Sequence, residues 1–156
     1  MTTLFEIAKQ AGVLEGELLP KPMFPHQVFS VEFYMSVLFK ACCDGEAPGV
    51  LNTSKCGTGK TRGIIEFVKE ARRVGYKEKV MVLAPLTILE PSWGQDIDEF
   101  APELTYSVCY AKNRRESLMK NVDIYLINHD AVRFLQQNQD LLPHFAGGIV
   151  VIDEIT

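Results

Sequence analysis

One octapeptide limits the folds open to this chain more than any other feature. Ser54-Lys55-Cys56-Gly57-Thr58-Gly59-Lys60-Thr61 sits between a short apolar run, Gly49 to Thr53, and a segment of helical period, Lys60 to Val74. Glycines at 57 and 59 let consecutive backbone N–H groups curl around an anion. A lysine in the first turn of a helix opposes the positive end of the macrodipole unless an anion sits there, so the position of Lys60 is itself informative. The pattern reads as a phosphate-binding loop, with Lys60 neutralising β and γ phosphates and the Thr61 hydroxyl placed for Mg²⁺. The strict form opens on glycine; this chain opens on Ser54, the relaxed form with a small first residue. The bland alternative is a glycine-rich turn with a solvated lysine, and the position between a predicted strand and a predicted helix argues against it.

The rest of the chain repeats that alternation. Runs rich in Val, Ile and Leu at Gly49 to Thr53, Lys79 to Ala84, Thr105 to Tyr110, Val122 to Asn128 and Gly148 to Asp153 read as buried strands. Between them, Lys60 to Val74 carries Ile64, Val68 and Ala71 on one face, with Arg72 and Arg73 in the last turn and Gly75 as the stop. A second helix is expected from Ser92, capped by its hydroxyl and by Gln95, with Trp93, Ile97 and Phe100 as its stripe and Pro102 as its end. Pro25 to Cys43 is apolar on most sides, as expected of a helix packed between other elements. Residues 1–21 read as a separate short amphipathic helix and loop. Strands alternating with helices predict an α/β fold: a parallel β-sheet with helices on both faces, right-handed crossovers, and ligands at the carboxyl ends of the strands.

Size and charge narrow the function. At 156 residues and 17.5 kDa the chain suits one domain. A net charge of −4 and a pI near 5.4 argue against a broad basic surface for nucleic acid, so any such contact is expected to be local. Cys42, Cys43, Cys56 and Cys109 lack zinc-ligand spacing and read as reduced, small apolar residues, which suits the cytoplasm. The chain has neither a signal pattern nor an apolar stretch near the ~20 residues a bilayer requires. No membrane partner is expected.

The last apolar run, Ile149 to Ile152, delivers two carboxylates, Asp153 and Glu154. Alone, this is a strand ending in a polar turn. Downstream of a phosphate loop, Asp153 reads as the group that holds Mg²⁺ through its water shell, and Glu154 as the catalytic base orienting an attacking water.

Gly57-Thr58-Gly59-Lys60-Thr61 followed by Asp153-Glu154-Ile155-Thr156 resembles motifs I and II (Walker A and B) of superfamily-two, DEAD/DEAH-like helicases. Leu83-Ala84-Pro85-Leu86-Thr87-Ile88-Leu89, with Trp93 and then Phe100-Ala101-Pro102, resembles motif Ia of the Swi/Snf-type translocases. Leu126-Ile127-Asn128-His129-Asp130 resembles their Asn-Tyr-Glu segment, with His129 at the tyrosine position, and Phe24-Pro25-His26-Gln27 resembles their adenine-sensing element. Gln27 suits adenine because its amide both donates and accepts; ordinary helix capping is the alternative. The resemblance covers residues 22–156 and implies the first RecA-like lobe of a P-loop NTPase of the Swi/Snf-type or related phage and bacterial helicases, one that hydrolyses ATP with Mg²⁺ while moving on DNA or RNA. It implies catalytic roles for Lys60 and Glu154, and nucleotide contacts from Gln27, Ser54, Cys56, Gly57, Thr58, Gly59, Lys60 and Thr61. It implies nucleic-acid contacts from Pro85, Leu86, Thr87, Asn128 and His129, with Lys112, Arg114 and Arg115 as a supporting basic cluster. The plainer readings are capping for Asn128, core packing for Trp93 and a solvated loop for the basic run. No Ser/Thr-Ala-Thr motif follows Glu154, and a second lobe with its arginine finger is expected from elsewhere, in cis or in trans.

Three functions fit these residues. They are an ATPase lobe of a DNA helicase or translocase, a stand-alone nucleotide-binding or regulatory module with little hydrolysis, and a different P-loop enzyme such as a small kinase or an AAA-type ATPase.

Overall fold

The computed structural model describes residues 22–55 and 57–153. The expected N-terminal helix, Cys56 and Glu154 lie outside the described residues. Among the described residues, four parallel strands, β1 Val80–Ala84, β2 Tyr106–Cys109, β3 Ile124–Asn128 and β4 Ile149–Ile152, form one sheet in the order β2-β3-β1-β4. In register, Val80 lies opposite both Ile124 and Ile149, and Tyr106 opposite Ile124. Among the described residues five α-helices accompany them: α1 Pro25–Asp44, α2 Lys60–Arg73, α3 Gln95–Phe100, α4 Arg114–Leu118 and α5 Ala131–Gln137.

Side chains alternate across the sheet, and each face has its own core. On one face Val80, Val82, Ala84, Ile124 and Leu126 pack with Ile65, Phe67 and Val68 of α2, with Val31 and Tyr34 of α1, and with Trp93 and Ile97. On the other, Met81, Leu83, Tyr125 and Ile127 pack with Leu118, Ala131 and Leu141. Every residue of β1 is buried, as expected of a central parallel strand. The predicted α/β architecture with both faces covered is present.

α2 begins and ends where its sequence dictates. Gly59, in the left-handed region at φ 74°, precedes it, and Gly75 at φ 96° closes it. Tyr76 N–H donates to Ala71 O at 2.9 Å and Gly75 N–H to Arg72 O at 3.0 Å, the paired bonds of a Schellman motif. Its buried stripe is Gly63, Ile65, Phe67, Val68 and Ala71, rotated from the expected one, with Ile64 only half-buried. The α2 core therefore also uses Phe67, which meets Tyr34 edge-on with centroids 5.6 Å apart.

Three expectations need correction. Gly49 to Thr53 forms no strand: the segment joins no ladder and is exposed, Leu51 by 80%. Among the described residues β4 pairs only with β1, so the 49–53 segment leaves β4 an open edge on which Val150 and Ile152 are exposed. The helix expected from Ser92 begins earlier. A 3₁₀ turn, Leu86–Ile88, runs into a wide π turn, Leu89–Gly94, and only then into α3, with no side-chain cap from Ser92. Pro91 in this stretch has no N–H for a regular α ladder, and the wide turn buries both Leu89 and Trp93. Finally, among the described residues α1 packs along one side. Gln27, Val31 and Tyr34 are buried, whereas Val28, Phe29, Phe33 and Phe39 are exposed. Among the described residues no helix is long and apolar enough to cross a membrane.

Candidate nucleotide and nucleic-acid site

In a parallel α/β sheet, the helix preceding β1 returns the chain to the amino end of that strand. The amino end of α2, with its loop, therefore lies at the carboxyl edge of the sheet. Gly57 (φ 78°) and Gly59 (φ 74°) adopt the left-handed conformation the phosphate-loop pattern requires. Inside the loop, Thr58 Oγ1 donates to Lys55 O at 2.9 Å, and the Lys60 ammonium donates to Ser54 O at 3.0 Å and Lys55 O at 3.2 Å. Lys60 thus lies across the loop mouth, with its charge among the loop carbonyls. Thr61 follows it in the first turn of α2, half-buried.

The loop is anchored from α1. Gln27, 5% exposed, donates through Nε2 to Gly59 O at 3.2 Å and to Thr58 O at 3.4 Å, while its Oε1 accepts Phe24 N–H at 2.9 Å. Its amide therefore serves both as the reach-back half of a helix cap and as a strut for the loop. The capping alternative weighed for Gln27 is observed, joined to a loop contact the sequence did not suggest. His26 Nε2 lies 2.8 Å from Thr58 O; a carbonyl can only accept, so the ring donates. A Cβ on Gly59 would fall 2.2 Å from Gln27 Nε2, so this position admits only glycine without displacing the strut.

Sequence reasoning missed Asn52. Its Oδ1 accepts Ser54 N–H at 2.9 Å, and its Nδ2 donates to Tyr34 Oη at 2.6 Å, fixing the entry to the loop against α1. An asparagine two residues before a turn is an Asx-turn signature, so the signal was present. A crevice lined by His26, Gln27, Asn52, Ser54, Thr58 and Lys60 opens beside the loop.

At the carboxyl end of β4, three hydrogen bonds among the described residues hold Asp153. Its N–H donates to Leu83 O at 2.8 Å, its carbonyl accepts from His129 Nε2 at 3.0 Å, and its Oδ2 accepts Trp93 Nε1–H at 2.9 Å. Trp93 is core, as its plainer reading holds, but its indole N–H is spent on the carboxylate. The donor set fits a magnesium nucleotide: an ammonium, positive-φ glycines, the N–H groups opening a 14-residue helix, and a hydroxyl and a carboxylate on one edge of the sheet.

The candidate nucleic-acid residues share that edge. Pro85, Leu86 and Thr87 follow β1, with Leu86 54% exposed and Thr87 exposed; Asn128 ends β3 and His129 follows it. Asn128 does not cap a helix: its Oδ1 accepts from Arg114 Nη2 at 2.7 Å, and its Nδ2 lies 3.3 Å from Asp130 Oδ2. The basic run is divided. Arg114 bonds Asn128 and stacks over Phe134, 5.4 Å from the ring centroid, Arg115 pairs with Asp140, and Lys112 is exposed. Of the four cysteines, Cys42 and Cys43 are free and exposed at the end of α1, contrary to the apolar role expected of them. Cys109 is free and buried, and burial pushes its thiol up to about 11, as befits an inert core residue.

A parallel sheet covered on both faces, with a glycine-lysine loop at the start of α2 and an aspartate after β4, is the frame of a RecA-like P-loop lobe. The chain belongs to the family described as Type III restriction enzyme, res subunit, whose model matches residues 21–155. Its fold is similar to that of the Sulfolobus solfataricus SWI2/SNF2 ATPase core in complex with dsDNA, at a TM-score of 0.62 and 16% identity. The match covers 92% of this chain and 34% of that one, so the chain spans about a third of that protein's length. No curated protein matches it.

Proposed function

We propose that this chain is the ATP-binding first lobe of a DNA helicase or translocase, residues 22–156, which hydrolyses MgATP when joined to a second RecA-like lobe. The observation that carries this reading is the placement of Lys60 and Thr61, at the amino end of α2, on the same sheet edge as Asp153. Family membership supports it independently. Bound there, Mg²⁺ would draw charge from the phosphates; Thr61 and Asp153 would hold its shell, and Lys60 the phosphate oxygens. Glu154 is proposed as the base. The exposed Leu86 and Thr87, with Asn128 and His129, offer a local contact line for a nucleic-acid backbone despite the acidic pI. DNA is the favoured strand, since the similar Sulfolobus core is in complex with dsDNA; RNA is the second candidate. The proposed location is the cytoplasm.

The test is nucleotide affinity followed by phosphate release with and without duplex DNA. Lys60→Ala should abolish ATP binding, whereas Glu154→Gln should keep it. An equal loss in both would remove Glu154 from the role of base, and failure of the unaltered chain to bind ATP would overturn the reading.

A further inference from the structure

We propose that Trp93 is a positioning residue for the metal-binding carboxylate: its indole N–H sets the orientation in which Asp153 meets Mg²⁺. The proposal rests on the reading of Asp153 given above.

The backbone of Asp153 is already fixed on both sides, through its N–H to Leu83 O and its carbonyl to the His129 ring. The side chain is oriented by the Trp93 bond to Oδ2 at 2.9 Å. A bond from a neutral donor to an ionised carboxylate is of the stronger kind. Trp93 is itself held rigidly. It is 1% exposed, in the core formed by the sheet, α2 and α3, and it sits in the π turn Leu89–Gly94. Packing alone would be satisfied by any large apolar side chain; a buried indole N–H needs a partner, and here the partner is the carboxylate at the end of β4. The same turn continues directly from Leu86–Ile88, beside the exposed candidate strand contacts. A shift of that loop would therefore reach Asp153 through one rigid side chain.

The chain has a single tryptophan, which makes the test direct. Affinity for a fluorescent ATP analogue is measured in EDTA and across a Mg²⁺ titration for the unaltered chain, Trp93→Phe and Asp153→Asn, with melting temperature as the check on folding. Trp93→Phe should keep its metal-free affinity while the Mg²⁺ concentration for half-effect rises about tenfold, the loss typical when a partner of a metal ligand is removed. In the unaltered chain, the lone indole ¹H–¹⁵N resonance should move on adding MgATP but not ATP in EDTA. Either an unchanged Mg²⁺ requirement in Trp93→Phe or an indole resonance indifferent to MgATP overturns the role of Trp93. If Trp93→Phe does not fold, the resonance decides alone. Undiminished Mg²⁺ dependence in Asp153→Asn would instead overturn the metal reading of Asp153, so the two failures are distinct.

Discussion

Gly57 and Gly59 share a left-handed backbone and differ in their surroundings, so the two glycines of the loop are not equivalent. A Cβ on Gly57 meets nothing within 4 Å, while one on Gly59 lands 2.2 Å from Gln27 Nε2. Gly57→Ala should cost only the conformational term, on the order of 1 kcal/mol. Gly59→Ala should cost about 1 to 2 kcal/mol more, because it also breaks the Gln27 hydrogen bonds. Thermal melting reads the difference, and Gln27→Ala should cost less in the Gly59→Ala background, where its loop bonds are already lost, than in the unaltered chain. Equal destabilisation by the two alanines would contradict the strut role of Gln27. At this scale much was legible from spacing: the glycines, Lys60 at the helix start and Asp153 at a strand end. Asn52 and the bond from Trp93 to Asp153 were not, because a hydrogen bond across 60 residues leaves no local pattern.

Between α2 and the sheet, one ion pair carries a pH dependence. Arg72 Nε lies 3.1 Å from Asp123 Oδ1, an ion-pair contact rather than a directed hydrogen bond, while Asp123 Oδ2 accepts both the N–H (2.9 Å) and the hydroxyl (2.7 Å) of Thr105. Burial works to raise the Asp123 carboxyl, but the Thr105 bonds and the Arg72 and Lys79 charges outweigh it and hold it below the ordinary 3.8. With the folded value below the unfolded one, the stabilisation is full above the unfolded value and is lost as pH falls through the folded one. Asp123→Asn should therefore lower the melting temperature at pH 7 and narrow its gap to the unaltered chain as pH falls below about 4. A gap constant over that range would refute the assignment. Element type followed from periodicity for α2 and for four of the five expected strands. The 3₁₀ and π turns before α3 did not, because they answer to the burial of Leu89 and Trp93 rather than to a local cap.

Across the whole molecule, protection should grade from the sheet centre outward. β1 is buried throughout and paired on both sides, and β3 lies between β1 and β2. β4 carries the exposed Val150 and Ile152, and residues 46–55 are exposed apart from Asn52. Hydrogen exchange should be slowest in β1 and β3, faster in β4 and fastest in 46–55; protection of 49–53 equal to that of β1 would restore the strand the sequence predicted. The sequence by itself determined the class of fold and the left-handed backbone of the Gly57 and Gly59 loop, because alternating periods and closely spaced glycines are local properties. Tertiary structure alone decided whether Gly49 to Thr53 becomes a strand, since a strand exists only with a neighbour to bond. It also decided that Gln27 braces the phosphate loop and that Trp93 grips Asp153, because those contacts depend on how helices 25–44 and 95–100 seat against the sheet.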